Sequence, residues 1–351
     1  MNYNDNYEIK ELQQWGNVQW FNDLSSSFQG CPDLQITATD IPNFSNVTSM
    51  AKMFSYCYAI TTIPNINQWN VSNVTDMSSL FSSCTNFNAP IGSWNVSNVT
   101  NMFSMFSSAD NFNSDISNWN VSNVTNMQNM FYYATNFNGN LSSWNVSNVT
   151  NMSSMFQSAY NFNSNISNWN VSNATQIYNM FTNAFNFNQD LGSWDIKAYN
   201  LLDFLSNTGM TCENYSKTLM GWANNPNFPQ NGTMKADNIL YGPQAQTYRN
   251  ILINTKGWSI SGDVYDSSCV TNLANQEISA ANPIKLYPTP TTGELFIESL
   301  SKTTAQLFDM TGKKVKELSL NKGKNTIDLR QLINGMYIIN IDGKPYKVIK
   351  K

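Results

Sequence analysis

Histidine is absent from the 351 residues of the chain. That excludes every Ser-His-Asp or Cys-His device and any histidine-based zinc site. Charge is scarce as well. Asp, Glu, Lys and Arg together make up 12% of the residues, about half the usual share. Between Lys52 and Lys197 there is no lysine or arginine, and the acidic residues there are five aspartates with no glutamate. A nucleic-acid binder needs a basic face, and this stretch offers none. The net charge of −4 also argues against anionic membranes as partners. No run of 18 apolar residues occurs, so no membrane insertion is expected. The opening MNYNDNYEIK is polar and acidic and does not read as a signal peptide. Cysteine is used five times without a C-x-x-C spacing, so neither a metal nor a cofactor is expected.

What is present is repetition. WNVSNVTNM occurs at Trp94–Met102, Trp119–Met127 and Trp144–Met152, with variants from Trp69 and Trp169. Trp69, Trp94, Trp119, Trp144, Trp169 and Trp194 are each 25 residues apart. A period this short suits one coil of a solenoid better than a four-stranded propeller blade. Within one unit, Met127, Met130, Phe131 and Ala134 fall at i, i+3, i+4 and i+7, which predicts a short helix capped by Thr125 or Asn126. Ile116, Trp119 and Val121 follow the inward spacing L-x-x-L-x-L, which predicts a short strand. The expected fold is therefore an α/β solenoid: a right-handed, leucine-rich-repeat-like array of short strands and short helices. Identical residues in register should form ladders, with Phe81, Phe106, Phe131, Phe156 and Phe181 in one column and the tryptophans in another.

Composition divides the chain further. Residues 1–60 read as degenerate N-terminal repeats, 61–200 as the regular array, and 201–269 as its C-terminal cap. Residues 270–285 read as a linker, and 286–351 as a small β-sandwich with turn signals every 8–12 residues. In the cap, Tyr215, Leu219 and Trp222 make a helical stripe. Cys31, Cys57 and Cys84 share a column with alanines of later repeats, which suits small buried thiols; a disulfide between neighbouring units is the sharper alternative. Cys212 and Cys269 lie outside the array, and a bridge between them would staple its end if the chain is exported.

With Ile116, Trp119 and Val121 inward, Asn118 and Asn120 point outward. The same positions elsewhere include Asn70, Asn95, Asn145, Asn168, Asn170 and Asp195. This row is the candidate ligand-binding face, although such polar ladders can equally serve only to solvate and cross-link the repeats. Asn-Val-Ser and Asn-Val-Thr are formal glycosylation sequons, read here as turn residues. No catalytic constellation is apparent, and the chain is not expected to be an enzyme. A glycan hydrolase would have to draw on Asp203, Glu213, Asp237 and Asp263. Regular threonine columns (Thr75, Thr100, Thr125, Thr150) leave ice binding, or a purely structural surface role, as rival readings.

The repeat W-N-V-S-N-V-T-N-M-x-x-M-F-x-x-A-x-N-F-N resembles the BspA-like leucine-rich-repeat surface proteins over roughly residues 20–268. The tail resembles the type IX secretion C-terminal sorting domain of Bacteroidota. The residues that carry this are LYPTPTTGEL (Leu286–Leu295), FDMTGKKV (Phe308–Val315), IDLRQLINGMYIINI (Ile327–Ile341) and the final KVIKK. Thr289 stands where that family usually has Asn. The resemblance implies a secreted or cell-surface protein that meets the secretion machinery through residues 286–351. It further implies adhesion or aggregation through an extracellular protein or polysaccharide ligand.

Overall fold

The structure, a computed structural model, describes residues 9–269, 285–287, 291–299, 302–309, 313–341 and 344–351. It divides into two compact units, residues 1–273 and 274–351. Of the expected linker 270–285, residues 270–284 lie outside the described residues, as does the Thr289 position, while Lys285 begins a strand.

The first unit opens with β1 (Glu11–Leu12), which pairs in parallel with β2 (Gln35–Ile36). The repeats then follow side by side, linked by parallel bridges Asp23–Ser49–Asp76–Asn101–Asn126–Asn151–Gln176. Their side chains are arranged in columns. Successive phenylalanine rings from Phe81 to Phe181 lie 5.6–6.0 Å apart and nearly parallel. A second phenylalanine column, Phe87 to Phe187, repeats at 5.9–6.1 Å. Each Trp indole N–H from Trp94 to Trp194 donates to a main-chain carbonyl of the preceding repeat, at 2.7–3.1 Å. A buried donor left unpaired would cost about 1–3 kcal/mol, so this bond makes tryptophan tolerable in the core.

The expected α/β solenoid does not form. Among the described residues, 69–199 contain no α-helix and no strand beyond the isolated bridges. Met127, Met130, Phe131 and Ala134 are fully buried, but not on a helix. Asn129 and Tyr133 have φ of 57° and 55°, so the backbone enters the left-handed region every fourth residue. The main-chain bonds alternate accordingly. Met127, Asn129, Phe131 and Tyr133 donate to carbonyls of the next repeat at 2.9–3.0 Å. Met130, Tyr132 and Ala134 instead close turns onto the residue three before. An α-helix would direct every N–H along its own axis; here half of them cross to the neighbour. Stacking many repeats through both main chain and rings outweighs a single isolated helical turn, which is marginal by itself.

The left-handed positions recur at Ser79 and Ser83, Ser104 and Ser108, Ser154 and Ser158, and Asn179 and Asn183. An L-residue other than Gly pays roughly 1–2 kcal/mol there, less for Asn. Ser108 has a φ of 56°. Ser108→Gly is therefore expected to leave stability unchanged or raise it by about 0.5 kcal/mol, the relief being partly offset by greater freedom of the unfolded chain. Ser108→Val should lower it by about 1–2 kcal/mol. Urea melts of the two variants check both signs.

The end of the repeats is built differently. β3 (Asn200–Leu201), β4 (Thr233–Lys235) and β6 (Ser259–Ser261) form a parallel sheet in the order β3-β4-β6. β5 (Leu240–Tyr241) pairs in parallel with β7 (Val264–Tyr265). Helix α1 (Cys212–Asn224) starts at Thr211, whose hydroxyl accepts the Asn214 N–H, and buries Tyr215, Leu219 and Trp222. It presses closely on the last repeat, because a Cβ on Gly221 would lie 2.2 Å from the Gly192 carbonyl oxygen. Helix α2 (Pro243–Asn254) packs beside it.

The second unit has two antiparallel sheets. One runs in the order β11 (Lys314–Leu320), β10 (Thr303–Phe308), β13 (Gly335–Ile341), β14 (Lys344–Lys350). The other runs β12 (Gly323–Asp328), β9 (Glu294–Ser299), β8 (Lys285–Tyr287). Period-2 alternation places Leu295, Ile297, Leu307, Ile339 and Ile341 in one shared core.

Candidate functional site on the polar repeat face

Asn70, Asn95, Asn120, Asn145 and Asn170 are all exposed, one per repeat, flanked by the buried Trp and Val of the same motif. Each side-chain oxygen already has a task. It accepts the main-chain N–H two residues on, at Ser72, Ser97, Ser122, Ser147 and Ser172, at 3.1–3.2 Å. These asparagines thus shape the turn that follows the tryptophan. The acceptor is engaged, whereas among the described residues the amide Nδ2 has no partner. Asn118 and Asn168 are exposed as well, and among the described residues their side chains have no hydrogen-bond partner. Ile116, Trp119 and Val121 are buried, although no strand forms around them.

Asp195 ends the row and differs from it. It is half-buried and accepts from Lys197 Nζ at 2.8 Å and Asn225 Nδ2 at 3.1 Å. Burial pushes its carboxyl up, but the bonds from Lys197 and Asn225 prevail and hold it below the ordinary range.

Other asparagine columns, which the sequence alone does not sort by role, join the repeats. Asn73, Asn98, Asn123, Asn148 and Asn173 donate Nδ2 to a serine carbonyl of the preceding repeat at 2.7–2.8 Å. Asn111, Asn136, Asn161 and Asn186 form an amide ladder with Asn86 at its start, at 3.2–3.3 Å. Thr75, Thr100, Thr125 and Thr150 donate their hydroxyls to the threonine carbonyl one repeat back, at 3.1–3.3 Å. A signal was available in hindsight: Asn at several fixed offsets in every repeat is more than a single binding row can use.

The carboxylates with hydrolase potential are all engaged. Asp203 and Asp237 both pair with Lys235, at 3.0 and 2.6 Å. Glu213 pairs with Lys217 at 2.6 Å. The Asp263 side chain is fully buried, held by Arg249 Nε and by the Tyr215 hydroxyl, at 2.8 and 3.0 Å. Among the described residues no group of three or more His, Cys, Asp or Glu could hold a metal ion.

Cys212 and Cys269 are joined in a disulfide, with Cα atoms 6.2 Å apart. Cys31, Cys57 and Cys84 are buried and form no disulfide. Cys57 and Cys84 point their thiols at the carbonyls of Phe28 and Phe54, at 3.0 and 2.9 Å. Burial pushes the Cys57 thiol up to about 12 and Cys84 well above its ordinary range; Cys31 rises too. Thiolate is the reactive form. The folded chain should therefore show almost no reaction with a thiol reagent at pH 8, and three reactive thiols after denaturation without reductant.

The geometry defines a class: a repeat-built unit whose neighbours are cross-linked by main-chain, amide and ring columns, followed by a two-sheet antiparallel unit. Residues 22–134 and 111–218 match the family described as "Mycoplasma protein of unknown function, DUF285". The two matches together span residues 22–218, more than half of the chain, and the chain belongs to that family. Residues 285–351 match the secretion system C-terminal sorting domain. No curated protein and no solved structure matches the chain. These matches establish the repeat family and the sorting domain; they do not extend to a BspA-like leucine-rich-repeat identity. The sorting domain points to secretion to the outer surface or the extracellular space, and implies contact with the secretion machinery. No described helix is long and apolar enough to cross a membrane.

Proposed function

We propose that the chain is a non-enzymatic, secreted or surface-attached binding protein whose repeat unit contacts an extracellular protein or polysaccharide in adhesion or aggregation. One observation carries this reading: Asn70, Asn95, Asn120, Asn145 and Asn170 present the same exposed amide at every repeat, with Nδ2 unused among the described residues. Equal groups at equal spacing suit a ligand that is itself repetitive. Each contact is then weak, and the sum is strong because later contacts form at high effective concentration. Uncharged amides and hydroxyls are suited to sugar hydroxyls or peptide groups rather than to phosphate. The ice-binding reading is less favoured, because the threonine hydroxyls it needs are donated to carbonyls of the neighbouring repeat.

The test is a glycan and matrix-protein binding screen with the whole chain beside the triple variant Asn95→Asp, Asn120→Asp, Asn145→Asp. Aspartate keeps the oxygen that accepts the serine N–H, so the turns survive, but it removes the amide donors and adds negative charge. The expected result is an unchanged melt with binding lost at least ten-fold. A ligand that binds both proteins equally would place the function elsewhere.

A further inference from the structure

The phenylalanine columns of the array are constant, because each ring must fit its neighbour in the next repeat. One exposed column is not constant. Tyr160 and Phe185 stand where earlier repeats carry Thr85, Asp110 and Thr135, at intervals of 25 residues. Stacking of the repeats therefore does not call for a ring there. Yet the two rings are 37% and 54% exposed, and they stack on each other at 5.0 Å with 25° between their planes. Leaving that much apolar area in water is unfavourable, and a role in holding the repeats together does not explain it.

Phe185 ends this short stack. Tyr160 covers one side of its ring. Beyond it the chain returns at Gly209, whose N–H donates to the Ala184 carbonyl at 3.4 Å. A Cβ on Gly209 would lie 2.2 Å from the Phe185 carbonyl oxygen, so no side chain can stand there to continue the stack. The polar half of the site lies one residue along. The amide ladder that starts at Asn86 ends at Asn186, whose Nδ2 donates back to Asn161 Oδ1 at 3.2 Å; among the described residues no donor reaches Asn186 Oδ1. Asn161 and Asn186 are both exposed. Each Nδ2 carries two protons, and the ladder uses one of them. None of these four residues is charged, and no lysine or arginine occurs between Lys52 and Lys197.

We propose that Tyr160, Asn161, Phe185 and Asn186 form a subsite for a neutral polysaccharide. A sugar ring has a face of C–H groups and a rim of hydroxyls. The C–H face would lie on the open side of Phe185, where the ring is electron-rich. The rim hydroxyls would donate to Asn186 Oδ1 and accept from the spare Nδ2 protons. A phosphate or sulfate would find no cation to pair with here, so the ligand is an uncharged one. A stable protein partner buries about 800 Å² on each side, more than two rings and two amides offer. The subsite uses none of the residues of the Asn70–Asn170 row, so it goes beyond that reading and stands or falls apart from it.

Titration calorimetry of the full chain with dextran, laminarin and galactomannan tests this. Saturable binding of at least one of them is expected, unchanged at high salt because no charge takes part. Phe185→Ala should weaken it by about ten-fold or more, the loss seen when an aromatic ring is removed from under a flat ligand. Asn186→Ala should weaken it several-fold. Phe21→Ala removes a ring that is 83% exposed outside the site, and should change nothing. All three positions are exposed, and the melts should match that of the parent chain. Binding of none of the three polysaccharides, or equal binding by Phe185→Ala, would overturn the assignment. Binding that salt abolishes would overturn the neutral class of ligand. Gelatin bound by the parent chain but not by Phe185→Ala, with no polysaccharide bound, would assign the rings to a protein partner instead.

Discussion

Asp263→Asn is expected to lower stability by about 3–5 kcal/mol, the loss falling on the region around α1, α2 and the short parallel strands. The side chain of Asp263 is fully buried. Arg249 approaches it with two nitrogens at 2.8 Å each, and also donates to the Ile260 carbonyl at 3.1 Å. The Tyr215 hydroxyl donates to the same carboxylate from α1. Tyr241 lies under the guanidinium at 5.1 Å. Asparagine keeps the volume but cannot neutralise Arg249, which is only 17% exposed. Breaking one side of a buried pair leaves the other charge uncompensated, and that is where the large cost arises. Arg249→Met with Asp263→Asn should recover part of the loss, because it removes the stranded cation. Circular dichroism melts of the single and double variants measure the difference. A single-variant loss under 1 kcal/mol would show that water reaches the pair.

The columns were legible in the sequence because every repeat spells them identically. Phe81 to Phe181 and Trp69 to Trp194 are 25 residues apart, and buried residues in register must meet. The inward set Ile116, Trp119, Val121 and the outward Asn118 and Asn120 could also be read from the L-x-x-L-x-L spacing. The local backbone could not. Met127, Met130, Phe131 and Ala134 have helical spacing, yet the chain between them turns left-handed at Asn129 and Tyr133. The same four positions can face one side either on a helix or in a run of tight turns, and hydrophobic periodicity does not distinguish them. What distinguishes them is the residue at the two left-handed sites, mostly Ser or Asn, which individually look like ordinary surface residues. The division of labour among asparagines was hidden for a related reason. Asn120 and Asn123 are both exposed and polar, but one folds its own turn and the other donates to the preceding repeat. Only the stacked geometry separates them.

Replacing both Cys212 and Cys269 with serine is expected to lower stability by about 4 kcal/mol, from the entropy of the closed loop. The bridge ties the first residue of α1 to the end of the first unit across a sequence separation of 57. Everything between the two cysteines is the region that covers the last repeat: α1, β4, α2, β6 and the β5-β7 pair. Without the bridge, the unfolded chain gains the freedom of that whole loop, while the folded state loses few contacts. The repeats rely on different bonds, chiefly the four main-chain N–H groups per repeat that cross to the next one. The loss should therefore be local first. Hydrogen exchange is expected to accelerate in residues 212–269 and to stay slow at Met105, Met130 and Met155, deep in the array. The position of Gly242 adds a geometric constraint: a Cβ there would lie 2.0 Å from the Cys269 carbonyl oxygen, so the chain at Cys269 runs tightly against the start of α2. Uniform acceleration throughout residues 22–269 would instead mean that the array and its end unfold as one cooperative unit, with the bridge stabilising both.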